Sequence, residues 1–255
     1  NNGNGELGNG TTTASNILGQ VSGLSGITAI SSGKVHTVAL RSDGTLWSWG
    51  ENYNGLLGNG TNTPSNSPVQ ASGFTGTVTA VAAGGWFTVA KKSDGTVWAV
   101  GNNLYGSLGN GTTTSSITPV QVSGLSGTVT AIACGDLHSI ALNSDGTVWA
   151  WGYNADGQLG NGTKGTDTSS LTPVQVSNLT DVTAIACGLQ QSIAIKSDGT
   201  VWAWGNNEYG LLGDGTNNDS AVPVQVSSLS GATAITVGRW HTVALKSDGT
   251  VQSWG

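Results

Sequence analysis

The motif Ser-Asp-Gly-Thr-x-Trp-x-Trp-Gly is written five times in 255 residues, and its spacing leaves few architectures open. The copies stand at Ser42–Gly50, Ser93–Gly101, Ser144–Gly152, Ser197–Gly205 and Ser247–Gly255. Counted between terminal glycines, the units span 1–50, 51–101, 102–152, 153–205 and 206–255. A fixed period of this size belongs to propellers and solenoids, where each unit buries its faces only against its neighbours. Five integral units therefore read as a single repeat domain, and function is to be sought where the copies disagree.

The unit beginning at Val129 shows what each copy builds. Val129–Ala133 is a short β-branched run, followed by Cys134-Gly135 and two variable residues. His138–Leu142 is a second strand, and Asn143–Gly146 a tight turn with Asp and Gly where hairpins favour them. Thr147–Trp151 is a third strand. A long loop carrying Leu159–Thr163 leads to Pro173–Val176, a proline-led fourth strand. Proline cannot donate to a ladder, so this strand belongs on an edge. Four short antiparallel strands make a propeller blade, with the first strand near the axis and the fourth on the rim. Strands two and three are apolar on both faces, as in sheets covered on both sides. Trp149 and Trp151, two apart, are expected to project from one face into the next blade. Trp47, Trp49, Trp98, Trp202, Trp204 and Trp254 follow them, with Val100 and Gln252 as exceptions.

The expected fold is thus all-β, a five-bladed propeller of four-stranded antiparallel blades. The chain opens in the loop that follows a third strand and finishes on one, Gly249–Trp254. The segment Ile17–Val21 has no strands of its own before it. It is expected to complete the last blade, closing the ring, removing a free edge and leaving a monomer.

Composition narrows the function. The net charge is −6, and the eight basic residues are scattered, so the clustered Lys and Arg that nucleic acid requires are missing. No apolar run reaches the length needed to span a bilayer. Cys134 and Cys187 occupy one slot in successive units without ligand spacing, and read as small buried hydrophobes. His36, His138 and His241 also share a slot, filled by Phe87 and Gln191 elsewhere. Equivalent positions in different blades lie too far apart to share a metal at ~2 Å, so these are structural histidines. The Leu-Gly-Asn-Gly-Thr loops carry too few carboxylates for calcium, with Asn154–Gly157 the best candidate; Asn and Gly explain them as turns. No catalytic constellation or phosphate loop is present, so neither an enzyme nor a cofactor is expected.

The copies disagree most between strands one and two. The pairs are Lys34-Val35, Gly85-Trp86, Asp136-Leu137, Leu189-Gln190 and Arg239-Trp240. Variable turns on a repeated scaffold read as a binding face, and Trp and Arg are enriched at interface hot spots. The expected binding residues are therefore Lys34, Val35, Trp86, Asp136, Leu137, Leu189, Gln190, Arg239 and Trp240, with a protein as partner. The alternative is a carbohydrate-binding or structural cell-surface module. The near-identity of the units also fits an amplified or designed array without an evolved ligand.

Read together, Gly-x-x-His-Thr/Ser-x-Ala-Leu, Ser-Asp-Gly-Thr-Val-Trp-Ala-Trp-Gly, Asn-x-x-Gly-x-Leu-Gly-Asn-Gly-Thr and Pro-Val-x-Val resemble the regulator of chromosome condensation repeat across all five units. The resemblance implies a propeller of four-stranded blades; the family's best-known members have seven, so five units are either a five-bladed ring or a fragment of a larger one. It also implies a choice among nucleotide exchange on a small GTPase, ultraviolet-B sensing and inhibition of β-lactamases. The exchange factor's inserted wedge and basic surface have no counterpart here beyond two extra residues near Lys164–Thr168. Gly238–Thr242 is similar to the photoreceptor motif Gly-Trp-Arg-His-Thr with its central residues exchanged, and Gly84–Thr88 is a poorer match. Two such tryptophans do not make a dense excitonic cluster.

Overall fold

The computed structural model describes residues 2–255, which carry nineteen strands and two single-turn 3-10 segments. The chain falls into two compact units, the first running to Val122 and the second from Ser123 to Gly255. The first holds two four-stranded sheets: β1 (Ile27–Ser32), β2 (His36–Arg41), β3 (Leu46–Gly50), β4 (Ser65–Gln70), then β5 (Val78–Ala83), β6 (Phe87–Lys92), β7 (Val97–Gly101), β8 (Ser116–Gln121). The second unit opens with β9 (Val129–Cys134), β10 (His138–Asn143), β11 (Val148–Gly152) and β12 (Ser170–Gln175). There follow β13 (Val182–Cys187), β14 (Gln191–Lys196), β15 (Val201–Gly205) and β16 (Ser220–Gln225). Last comes a three-stranded sheet of β17 (Ala232–Val237), β18 (Thr242–Lys246) and β19 (Val251–Trp254). These are five antiparallel propeller blades in chain order, as the repeat predicts.

Local chemistry explains why each copy folds alike. In every Ser-Asp-Gly-Thr turn the aspartate carboxylate accepts from the threonine two residues on, as Asp43 Oδ1 does from Thr45 N at 3.0 Å and Oγ1 at 2.6 Å. The threonine hydroxyl and then its amide hold all five of these carboxyls below the ordinary range. Strands one and two slip register in every blade, and a threonine hydroxyl spans the irregularity. Thr130 Oγ1, for example, donates to Leu142 O at 3.1 Å. The fourth strand begins earlier than proline suggests: β12 starts at Ser170, with Pro173 inside it. It is tolerated because β12 pairs through one edge only, and the register breaks between Ala150 and Gly152 opposite it.

The paired tryptophans divide their roles. Trp49, Trp151 and Trp204 are buried, whereas Trp47, Trp98, Trp149, Trp202 and Trp254 are half-buried. The outer member sits beside the turn, and in Trp47, Trp98 and Trp202 its indole N–H finds the turn threonine, as Trp98 Nε1 does with Thr96 Oγ1 at 2.9 Å, whereas Trp149 Nε1 is buried without a partner. The buried Lys92 holds its ammonium 3.9 Å from the Trp98 ring centroid. The inner member is clamped. Trp204 Nε1 donates to Gln158 O at 2.9 Å, in the loop after the preceding blade's third strand.

Those long loops are more than flexible turns. Asn207 is buried, and its amide donates to Thr216 O at 3.0 Å and Asn218 O at 3.1 Å while its Oδ1 accepts Leu212 N at 2.9 Å. Asn2, Asn52, Asn103 and Asn154 make the same clamp. Asn154, named above as a cation candidate, is thereby committed to carbonyls of its own loop.

The expected completion of the last blade by Ile17–Val21 is not seen. The sheet β17–β18–β19 has three strands among the described residues, and residues 11–26 form no strand. Ile17 and Leu18 are exposed. The N-terminal loop is instead anchored on the first blade, where Gly10 N donates to Asn66 O at 2.8 Å and Trp49 Nε1 to Glu6 O at 2.9 Å.

Candidate functional site

The five variable pairs are presented by one repeated device. Each follows a glycine whose amide donates across the turn to the carbonyl three residues on: Gly33 to His36, Gly84 to Phe87, Gly135 to His138, Gly188 to Gln191 and Gly238 to His241, at 2.8–2.9 Å. A Cβ on Gly135 would lie 2.2 Å from the His138 ring, so the slot residue's side chain lies against the turn's first residue and glycine is required. The second variable residue is fixed through its carbonyl. Val35, Trp86, Leu137 and Gln190 accept from Glu51, Asn102, Tyr153 and Asn206, the first residues after strand three, at 2.9–3.0 Å. In these four turns the backbone is thus held at both ends, and only the two side chains are left to vary.

The predicted residues fall into two groups. In the first unit, exposed Lys34 holds its ammonium 5.8 Å from the Trp86 ring centroid, bringing two neighbouring turns together, with half-buried Val35 beside it. In the second unit, Asp136 N donates to Leu189 O at 3.0 Å, tying two turns directly, and Leu137 and Gln190 are half-buried. Arg239 lies 5.2 Å over the Trp240 ring. Trp240 remains 40% exposed and meets Tyr209 edge-on, centroids 5.1 Å apart and planes at 66°. Glu208, Tyr209, Asn217, Trp240 and Gly255 line a cavity of about 570 Å³. Glu208, Tyr209 and Asn217 are not among the binding residues expected from the sequence. The signal was faint: they lie in the long loop of one blade, and only packing carries that loop to the turn of the next.

Beneath the turns the shared slot joins blade to blade. His36 Nε2 lies 2.9 Å from Thr88 Oγ1, and Thr88 gives its own proton to Leu56 O at 2.8 Å. The hydroxyl must therefore accept, so His36 is the neutral Nε2–H tautomer with an unprotonated Nδ1. His138 repeats this on Ser192 at 2.9 Å, and Ser192 donates to Gln158 O, the same carbonyl that receives Trp204. Burial lowers the pKa of His36 to about 3 and of His138 to about 4. These two are structural, as expected; His241 in the last blade is exposed. Cys134 and Cys187 form no disulfide, and burial pushes the Cys134 thiol up to about 12 and Cys187 well above its ordinary value.

Gln191 fills the slot less well. Its Oε1 and Nε2 are buried without a partner, and so is the hydroxyl of Thr242, the residue equivalent to Thr88 and Ser192. Gln191→His is expected to restore the imidazole–hydroxyl bond and raise stability by about 1 kcal/mol, since buried polar atoms left unpaired are costly. An unchanged or lower urea midpoint at pH 8 would count against that account.

Known proteins share this architecture. The family model for the RCC1-like domain matches residues 1–255. The ultraviolet-B receptor UVR8 of Arabidopsis thaliana is 32% identical over 218 residues, covering 83% of this chain and 49% of the receptor. Human WBSCR16 superposes with a TM-score of 0.84 at 27% identity, over 96% of this chain and 65% of that one. Yeast RCC1 (Prp20), solved bound to Kap60, gives 0.77 at 26%, over 89% and 55%. The chain spans less than two thirds of each of these proteins.

Proposed function

Because the chain belongs to the RCC1-like domain family, we propose that it is a protein-binding scaffold whose partner is read by the variable turns between strands one and two. One observation carries the reading. Five turns share one glycine-led backbone, four of them pinned at each end, while the pair of residues each presents differs from copy to copy. Rigid loops that carry aromatic and guanidinium side chains bind with little loss of entropy. Prp20 bound to Kap60 supports protein recognition by a relative of this fold. The edge-on geometry of Tyr209 and Trp240 offers no flat double platform for a sugar ring, which favours a protein over the carbohydrate alternative.

Trp86→Ala, Trp240→Ala and Arg239→Ala are the decisive substitutions. Each is expected to weaken capture of a partner from the native source at least tenfold, the scale of a hot-spot truncation. None should shift the urea midpoint appreciably, since the turn backbone does not depend on these side chains. Undiminished capture by the triple variant would remove the turns from the recognition surface.

A further inference from the structure

Four of the long loops carry the step Asn-Gly-Thr after Leu-Gly, at Asn9, Asn59, Asn110 and Asn161, and the loop after β15 has Asp214 in the same place. An asparagine side chain is open to attack by the amide nitrogen of the next residue, and a glycine there puts no side chain in the way. In all four loops the asparagine is half-buried and the glycine exposed, so water reaches each alike. Their hydrogen bonds differ. Gly10 N donates to Asn66 O at 2.8 Å and Gly162 N to Ala221 O at 2.9 Å, which ties each nitrogen to a fourth strand, β4 or β16. Gly60 N and Gly111 N have no hydrogen-bond partner among the described residues.

The carbonyl under attack is prepared as well. Asn59 Oδ1 accepts from Thr61 N at 3.1 Å, from Thr61 Oγ1 at 2.9 Å and from Nδ2 of the buried Asn52 at 3.3 Å. Asn110 Oδ1 accepts from Thr112 N at 3.2 Å, Thr112 Oγ1 at 2.9 Å and Asn103 Nδ2 at 3.1 Å. Three donors fixed on one carbonyl oxygen stabilise the negative charge it takes up in a tetrahedral intermediate. The fold also accepts the acid that would result. Asp214 Oδ1 makes the same three bonds, to Thr216 N and Oγ1 at 2.9 Å and to Asn207 Nδ2 at 3.2 Å.

We propose that Asn59 and Asn110 are sites of spontaneous deamidation, which gives their loops the acid that Asp214 already supplies after β15. The glycine amide loses its proton to water or hydroxide, and its nitrogen bonds to the asparagine Cγ. The Cγ–Nδ2 bond breaks, and Nδ2 leaves as ammonia. Water then opens the resulting succinimide at one carbonyl to give aspartate, or at the other to give isoaspartate. Each event consumes one water, releases one ammonia and transfers no electrons. One negative charge is added at each site, so conversion of both takes the net charge from −6 to −8. The long loops are involved and the variable turns are not, so the recognition surface proposed above stands or falls separately.

The test needs only the unaltered chain, incubated folded at pH 8 and, in parallel, unfolded in urea. Peptide mass spectrometry follows the amide-to-acid conversion at each site, with released ammonia measured alongside. In the folded chain Asn59 and Asn110 are expected to convert about tenfold faster than Asn9 and Asn161, whose glycine amides must first give up a hydrogen bond. In urea all four stand in the same Leu-Gly-Asn-Gly-Thr context and are expected to convert at equal rates. Equal rates in the folded chain, or faster conversion at Asn9 or Asn161, overturn the proposal. A folded chain that keeps Asn59 and Asn110 while the unfolded chain loses them overturns it equally. Thr61→Val, which removes one donor from Asn59 Oδ1, is expected to slow that site about tenfold against Asn110 in the same molecule, and Thr61→Ser to restore it. An unchanged Asn59 rate in Thr61→Val overturns the role given to the donors.

Discussion

Acidification from pH 6.5 will destabilise this protein well before its carboxylates titrate. His36 and His138 are neutral in the folded chain, with pKa values of about 3 and about 4 against 6.5 for the free side chain. Between those limits the unfolded chain binds a proton at each position and the folded chain does not, so stability falls as pH falls. The slope is about 1.4 kcal/mol per pH unit for each histidine, or roughly 2.7 kcal/mol from each by pH 4.5. The turn aspartates act in a separate window. Their folded pKa values are depressed, to about 2 for Asp248, so their contribution is complete above 3.8 and is lost as pH drops through the folded values. Urea midpoints followed from pH 8 to pH 3 should therefore decline in two waves. His36→Phe and His138→Phe, which copy Phe87 in the same slot, should remove the first wave and leave the second. A midpoint that stays level down to pH 4.5 would show that the imidazoles are not held neutral.

Trp204→Ala should cost more than any other single truncation in the second unit, about 4 kcal/mol by the measure of large aromatic cavities. The side chain is fully buried, and its indole N–H is satisfied by Gln158 O. That carbonyl also receives Ser192, which in turn carries His138, so the tryptophan closes a network between two blades. Trp204→Phe keeps most of the apolar area but abandons the hydrogen bond, and is expected to lose about half as much. Trp202→Ala, two residues away and half-buried, should lose far less because solvent and Lys196 already share its ring. Comparable losses at the two positions would mean that the contrast in burial has no energetic weight. The chain contains a natural comparison: Val100 replaces the inner tryptophan in the second blade and is still fully buried, so the slot demands apolar volume before it demands an indole.

Much of this was legible from residues alone. The Asp-Gly turn, the β-branched runs and the outermost position of the proline-bearing strand follow from local backbone chemistry, which is the same wherever the motif is written. The placement of the histidines was also legible in kind, because Phe87 and Gln191 share their slot and no imidazole chemistry survives that exchange. Their partners were not. Thr88 and Ser192 stand more than fifty residues from His36 and His138, and only the stacking of one blade on the next brings hydroxyl to ring. The difference between Trp202 and Trp204 was hidden for the same reason. Both occupy one face of a strand, and the depth of each is set by the neighbouring loop.

The sequence by itself determined the blade: its four strands, its turns, its count of five and the positions free to vary. Period and hydrogen-bonding residues act within a single unit, so no knowledge of the neighbours was needed. Tertiary structure decided what the units do to one another. It turned threonine and serine into receivers for buried imidazoles, gave Trp240 its companion Tyr209, and left Ser15–Gln20 unpaired beside no strand of its own. Those outcomes depend on which surfaces meet, and a pattern repeated five times cannot say which copy will find a neighbour.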